Sequence, residues 1–273
     1  MEQTTQDRET KLSVSEPRIL VIGEKFIDRY WVGTATRISP EAPIPVVAVK
    51  EVIQSAGGAG NVFANLQALG ARGMLYGPSH EPIKNRLVAN GQQVARWDEE
   101  DKIPPVQFMK QEDFEGVEGV ILSDYGKGAF TIDSIQHIRE KMGNIPYVFV
   151  DTKGDPSMFA MPYPTDTFFF PNMKEWTAHK NSYNRRTGVI RTESENGMTH
   201  ISCGDARWHT KARAVDVVSV CGAGDTAIAA FAYQYCKEPN IRKAMEFASK
   251  ACAVVCGKPY TAVASHEEIN QIK

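Results

Sequence analysis

The sequence predicts an α/β protein with a central, mostly parallel sheet flanked by helices. Three observations carry that prediction. Short apolar runs alternate with helix-length stretches, the chain order of parallel βαβ units. Two of the runs, GVILSDYG (119–126) and YVFVDTKG (147–154), finish in polar residues. In open α/β sheets ligands gather at the carboxyl ends of strands, where such residues sit. Toward the end of the chain, SVCGAGDTAIAAF (219–231) reads as the end of one element, a glycine turn and the start of a helix.

The elements follow in order. RILVIG (18–23) is a buried strand, and PIPVVAV (43–49) is a second extended run whose prolines suit an edge or a separate small sheet. AGNVFANLQALG (59–70) carries Val62, Leu66 and Leu69 at helical spacing and stops at Gly70. TIDSIQHIREKMG (131–143) is an amphipathic helix between two strands, and DTFFFPN (166–172) is a further strand with a polar end. GVIRT (188–192), MTHISC (198–203) and ARWHTKA (206–212) read as a more antiparallel stretch. AVDVVSV (214–220) reads as a strand running into the glycine turn, followed by helices over 225–237 and 241–256 and a short one near the C-terminus. With no repeat and no linker, one main domain over 18–273 is expected, preceded by a flexible polar arm at 1–17.

Composition narrows the function classes. A formal net charge of -2 gives no bulk attraction to nucleic acid. No apolar run reaches the length of a membrane span, and MEQTTQDRETKLSVSEP lacks the apolar stretch of a secretory signal, so a cytoplasmic location is expected. Five cysteines with no CxxC pair argue against a disulfide framework or a zinc site, although Cys252 and Cys256 share a helical face. The six histidines show no ligand-like spacing.

The turn at Gly222, Ala223 and Gly224 has a chemical reading. The first N–H groups of a helix lack internal partners, and the helix dipole adds positive potential there. Glycine lets a phosphate come close to such amides. A carboxylate beside that anion, Asp225, is repelled unless it takes a proton from an attacking hydroxyl while the amides hold the charge developing on the phosphoryl group. The competing reading is a plain helix cap, since Asp caps helices well. On these residues alone both readings stand.

A second glycine motif, SAGGAGNVFANLQALGA (55–71), places an Asn on the first turn of a helix. GGAGN early and GAGDT late together resemble the ribokinase (PfkB) family of sugar kinases. The stretches VIGEKFIDRYWVGTATRISPEAPIPVVAV, NGQQVARWD, LSDYGKGAF, DTKG and FPNMKEW are similar, in the same order, to the kinase domain of the bifunctional heptose kinase/adenylyltransferases of lipopolysaccharide synthesis. The resemblance implies a ribokinase-like fold with a small β lid, from segments of about 29–55 and 84–98, and a homodimer paired through it. It implies ATP, Mg²⁺ and γ-phosphoryl transfer to a hydroxyl of a sugar or sugar phosphate, most like a heptose 7-phosphate 1-kinase. Asp225 matches the base, and Gly222, Ala223 and Gly224 match the anion hole. Glu24, Asp28, Gly57, Gly58, Asn61 and Lys153 match or adjoin the sugar side, and Arg96 either reaches the sugar's own phosphate or is an exposed lid charge. Asn172, Thr192, Gly197 and Ser249 match the nucleotide side, and Glu175 the metal. Arg37 and Lys127 lie in matched stretches, as lid or surface charges or as phosphate contacts, and Trp31 and Trp97 are expected to pack the lid or a partner subunit.

The chain also departs from the family pattern. Glu24 stands where an Asp is usual, Ser219 where the heptose-kinase pattern has Asp, Glu193 where it has a basic residue, and Ser249 where it has Asn. Loss of the Asp puts activation by a monovalent cation in question, and Glu193 would repel phosphates if it faced them. About one helix-plus-strand unit is missing after LYG (75–77), where PSHEPIKN alone spans the gap. No adenylyltransferase domain is expected within these 273 residues. Two other readings therefore accompany the heptose-kinase one. One is a kinase for a different sugar on the same fold. The other is a degenerate, non-catalytic binding protein.

Overall fold

The structure, a computed structural model, describes residues 15–99, 103–106, 109–161, 165–183, 187–202 and 205–272. Residues 1–14 of the expected arm and Cys203 lie outside the described residues. The elements in chain order are β1 (Arg18–Gly23), β2 (Lys25–Ile38), β3 (Pro45–Gly58), α1 (Ala59–Ala68), β4 (Arg72–Tyr76), β5 (Ile83–Ala89), β6 (Gln92–Glu99), β7 (Gly119–Asp124), α2 (Ile132–Met142), β8 (Tyr147–Thr152), β9 (Asp166–Phe169), α3 (Met173–His179), β10 (Gly188–Thr192), β11 (Met198–Ser202), β12 (Asp205–Thr210), α4 (Ala223–Lys237), α5 (Ile241–Cys256) and α6 (His266–Gln271).

The main sheet has eight strands in the order β12-β11-β10-β9-β8-β7-β1-β4. From β10 to β4 the neighbours are parallel, and β11 and β12 add an antiparallel edge. β1 alternates its side chains between two cores. Ile19 and Val21 face a layer containing Leu66, Phe231, Ala248 and Val255, while Leu20 and Ile22 face one containing Ile135, Ile138 and Phe159. A strand covered on both faces reads as an unbroken apolar run, as RILVI does. The helices are closed by local chemistry. Thr131, Asn172 and Ser265 each cap a helix and exchange hydrogen bonds with the third residue of the turn.

A second sheet of four strands, in the order β3-β2-β5-β6, stands apart from the first. Its strands are longer than the segments expected from the sequence, beginning at Lys25 and Ile83 and ending at Gly58 and Glu99. Trp31 and Trp97 meet on it with ring centroids 6.2 Å apart, and the Trp31 indole donates to Asn85 Oδ1 at 2.9 Å. The short connection after β4 leaves that strand at the edge of the main sheet, so the missing unit costs the sheet no interior strand.

One expected element is corrected. Residues 214–220 form no strand. The amides of Val218 and Ser219 donate to the Cys256 carbonyl at the end of α5, which holds the segment away from any ladder. Its valines are solvent-exposed, Val217, Val218 and Val220 by more than half. Cys221, Cys236, Cys252 and Cys256 are free thiols.

Candidate active site

The sheet order reverses around β1, which lies between β7 and β4. Crevices open at such switch points, at the carboxyl ends of the strands. Three chain segments leaving those ends, after β1, β7 and β8, meet there with the first turns of α1 and α4.

Asp225 sits in the first turn of α4 and is buried. Asn61 Nδ2 donates to its Oδ2 at 2.9 Å, and the Tyr125 hydroxyl donates to its Oδ1 at 2.6 Å. Helix geometry leaves the amides of Gly224 and Asp225 with no intrahelical acceptor. Gly222 caps α4 at φ 78, a left-handed conformation that glycine adopts without strain. A Cβ there would lie 2.5 Å from Asn61 Nδ2, whereas a Cβ on Gly224 would meet nothing within 4 Å. The space over the turn is therefore open where an anion would rest. Burial pushes the Asp225 carboxyl up to about 6, against the pull of its two hydrogen-bond donors.

Asn61 is itself held. Asn65 Nδ2 donates to the Asn61 carbonyl at 2.9 Å, and Thr226 Oγ1 donates to Asn65 Oδ1 at 3.2 Å. Asn65 and Thr226 were not singled out in the sequence. Their signal was a polar pair, Asn61 and Asn65, at i and i+4 on an otherwise apolar helical face.

On the second sheet, Asp28 is buried and paired with Arg86, and its other oxygen accepts from Thr261 Oγ1 at 3.2 Å. Gly57 leaves room beside it, since a Cβ there would lie 2.6 Å from Asp28 Oδ2. Gly58 starts α1 at φ 58, packed on the Glu24 carbonyl and the Phe26 ring. Lys84 is another residue the sequence reading missed. Its ammonium lies 3.2 Å from the Phe26 ring centroid and 5.0 Å from that of Tyr125. Burial lowers it to about 8, with Asp28 opposing. Arg96 stands across from Arg86 in the sheet register and closes on Asp98 at 2.9 and 2.6 Å. It lies near enough to Lys84 to disfavour that ammonium, but at the exposed rim. Arg37 is exposed at the end of β2.

Lys153 bridges Asp151 at 3.0 Å and Glu175 at 2.9 Å. Burial disfavours its charge, yet those carboxylates hold its pKa above the ordinary lysine value. Asn172 caps α3, and its amide donates to Glu175 Oε2 at 2.8 Å. Asn172 and Thr192 pair across the ends of their segments. Gly197 and Ser249 converge on Lys211: a Cβ on Gly197 would strike the 210–212 backbone, and Ser249 Oγ donates to the Lys211 carbonyl at 3.0 Å. The residues expected on the nucleotide side thus form one neighbourhood past β9 and β10. Glu193, expected to repel phosphates if it faced them, is neutralised by Arg191 at 2.7 Å.

The expectation for Glu24 is corrected. It is 0% exposed, and its carboxylate accepts from the amides of Tyr125, Lys127 and Ala129 at 2.7, 2.8 and 2.9 Å. Its longer side chain reaches the backbone of the 125–129 turn, so it presents no surface to a sugar.

A deep carboxylate beside helix-start amides, faced by a second glycine turn and a cationic sheet, is the arrangement of a phosphoryl-transferring sugar kinase. The chain belongs to the pfkB family of carbohydrate kinases, whose family profile matches residues 81–268. Among curated proteins it is similar to the bifunctional protein HldE of Vibrio vulnificus, 32% identical over 300 residues covering 92% of this chain and 62% of the relative. The HldE of Hahella chejuensis is likewise 32% identical, covering 93% and 63%. The chain thus spans about three-fifths of the length of these relatives. Solved structures share the fold at low identity. Arabidopsis thaliana ribokinase complexed with ribose and ATP matches at TM-score 0.69 and 14% identity, covering 94% of this chain and 98% of that one. A microbiome-derived acarbose kinase matches at TM-score 0.72 and 17% identity, covering 94% and 99%. No helix among the described residues is long and apolar enough to cross a membrane.

Proposed function

We propose that the chain transfers the γ-phosphoryl group of ATP to a hydroxyl of a sugar phosphate, as a heptose 7-phosphate 1-kinase, in the cytoplasm. The observation that carries this reading is the Asp225 carboxylate, buried beside unpartnered helix amides and aimed by Asn61 and Tyr125. Asp225 takes the proton of the acceptor hydroxyl, and the amides at Gly224 and Asp225 hold charge on the phosphoryl oxygens. Asp28, with Gly57 opening space beside it, orients the sugar hydroxyls, and Gly58 lets α1 start close against Glu24 and Phe26. The heptose phosphate is an anion, and Lys84 and Arg86, with Arg96 at the rim, supply the cationic side of the crevice. Asn172, Thr192, Gly197 and Ser249 border the nucleotide. The second sheet acts as a lid, and its exposed Ile38, Val49, Val52 and Trp97 support pairing of two copies through it.

Among the described residues no cluster of three His, Cys, Asp or Glu side chains is arranged to hold a metal. Mg²⁺ on a nucleotide needs only one or two carboxylates besides the phosphates. Glu175, whose carboxylate already faces the Lys153 ammonium, fits that limited role. When bound, Mg²⁺ would neutralise charge on the phosphates. Lys153, held charged between Asp151 and Glu175, adds a fixed cation on the same side.

Three results are expected. In a panel of sugars and sugar phosphates, ATP turnover should be fastest with heptose 7-phosphate. A preference for an unphosphorylated sugar would replace the acceptor, and no turnover with any acceptor would refute the kinase reading. With the right acceptor, log kcat should fall as pH drops through about 6, where Asp225 takes up its proton. The acceptor KM should rise as pH climbs past about 8, where Lys84 loses its charge. A profile flat from pH 5 to 7 would remove Asp225 as the base.

A further inference from the structure

Glu24 occupies a junction between the two groups that hold Asp225. Its carbonyl accepts the amide of Ala59 at 3.0 Å, at the start of the helix that carries Asn61. Its own amide donates to the Ser123 carbonyl at 3.1 Å, at the end of β7. Its carboxylate takes the amides of Tyr125, Lys127 and Ala129. Both donors to Asp225 therefore hang from this one residue, Asn61 through its main chain and Tyr125 through its side chain. The Tyr125 ring is also clamped. Phe26 meets it edge-on at 4.8 Å, and the ammonium groups of Lys84 and Lys153 stand 5.0 and 5.3 Å from its centroid.

We infer that Tyr125 and Glu24 are positioning residues for phosphoryl transfer: Glu24 fixes the 125–129 turn so that the Tyr125 hydroxyl holds one oxygen of Asp225 in line with the acceptor, and it binds no part of the sugar. This rests on the proposed role of Asp225 as base. Two donors on two oxygens fix the plane of the carboxylate and leave its remaining lone pairs for the substrate. A donor to the ionised form also makes that form easier to reach. The other charged groups around Asp225 are Asp151 and Lys153 at the end of β8 and Lys84 on β5, with Asp28 of β2 near Tyr125. Tyr125 itself stays protonated, because burial and the Asp225 charge push its phenol well above the ordinary value.

The test measures kcat and acceptor KM across pH for the wild type, Tyr125→Phe, Glu24→Gln and Glu24→Asp. In parallel, the Asp225 carboxyl is titrated by carbon NMR on aspartate-labelled protein, with Asp225→Asn assigning the resonance. Tyr125→Phe keeps the ring and its packing, so folding is retained. It should lower kcat roughly tenfold, leave acceptor KM within about twofold, and raise the Asp225 midpoint by about one unit. Glu24→Gln presents an amide NH₂ to at least one backbone N–H and should move kcat and the midpoint in the same direction. Glu24→Asp, shorter by one methylene, should fall between it and the wild type. An unmoved Asp225 midpoint in Tyr125→Phe overturns the inference. So does a Glu24→Gln variant whose loss appears in acceptor KM alone, which would return Glu24 to the sugar. If the wild type turned over no acceptor, the kinase reading would fail while the NMR titration still decided whether Tyr125 and Glu24 govern the carboxylate.

Discussion

Replacing Asp225 by Asn is expected to lower kcat by about 10²–10⁴ while leaving ATP binding near its wild-type strength. The amide has the shape of the carboxylate and keeps one acceptor for Asn61 or Tyr125, so the turn stays in place. What disappears is the capacity to take the acceptor's proton. The same variant is expected to be more stable than the wild type at neutral pH. The folded-state pKa, about 6, lies above the ordinary 3.8, so ionisation works against folding. That penalty is absent below the unfolded value, grows through the interval, and is complete above about pH 6. It corresponds to about 3 kcal/mol, and the amide gives some of it back by losing one hydrogen bond, leaving a net gain of about 1–2 kcal/mol. Thermal melts should show Asp225→Asn a few degrees above the wild type at pH 7.5, with the gap closing near pH 4. Full turnover in the variant, or a gap that does not close in acid, would contradict this account.

Gly222→Ala is the second large effect. Alanine at φ 78 is strained by roughly 1–2 kcal/mol, and its Cβ would sit 2.5 Å from Asn61 Nδ2 and 3.0 Å from Thr261 Cγ2. Relief requires Asn61 to withdraw from Asp225 or the start of α4 to move. Either displaces the amides from where charge develops, a loss of about 10²–10³ in kcat. Gly224→Ala is the matched control, because its Cβ meets nothing within 4 Å beyond its own helical turn. It should melt at or slightly above the wild-type temperature, yet lose turnover if that space belongs to the phosphates. Near-normal kcat in Gly222→Ala would mean that the turn is only a helix start. Kinetics and melting curves on the three proteins distinguish these outcomes.

Much of the site was legible from local pattern. Asp225, Asn61 and the glycines sit at strand-to-helix turns, where φ requirements and free amides leave a signature within a few residues. The antiparallel edge was legible for the same reason, from short runs closed by turns. What failed to show was whatever depends on a partner far along the chain. Glu24 looked like a sugar ligand because its neighbours at 100 residues' distance, the amides of 125–129, leave no mark near position 24. Nothing in the chain near Lys84 or Tyr125 marks either residue, because only folding sets them together. The valines of 215–220 read as a strand because apolar spacing cannot say whether a ladder partner exists.

By itself, then, the order of apolar runs and glycine turns determined the layered α/β architecture and the acid poised at the head of α4, since both are encoded by short-range sterics and burial, while the family was legible from the resemblance of its motifs in their order. Only the tertiary structure decided which oxygens that acid shares and with whom, and that Glu24 serves the protein backbone. Hydrogen bonds act over about 3 Å, and the groups that make them here are separated by 100 residues or more of chain.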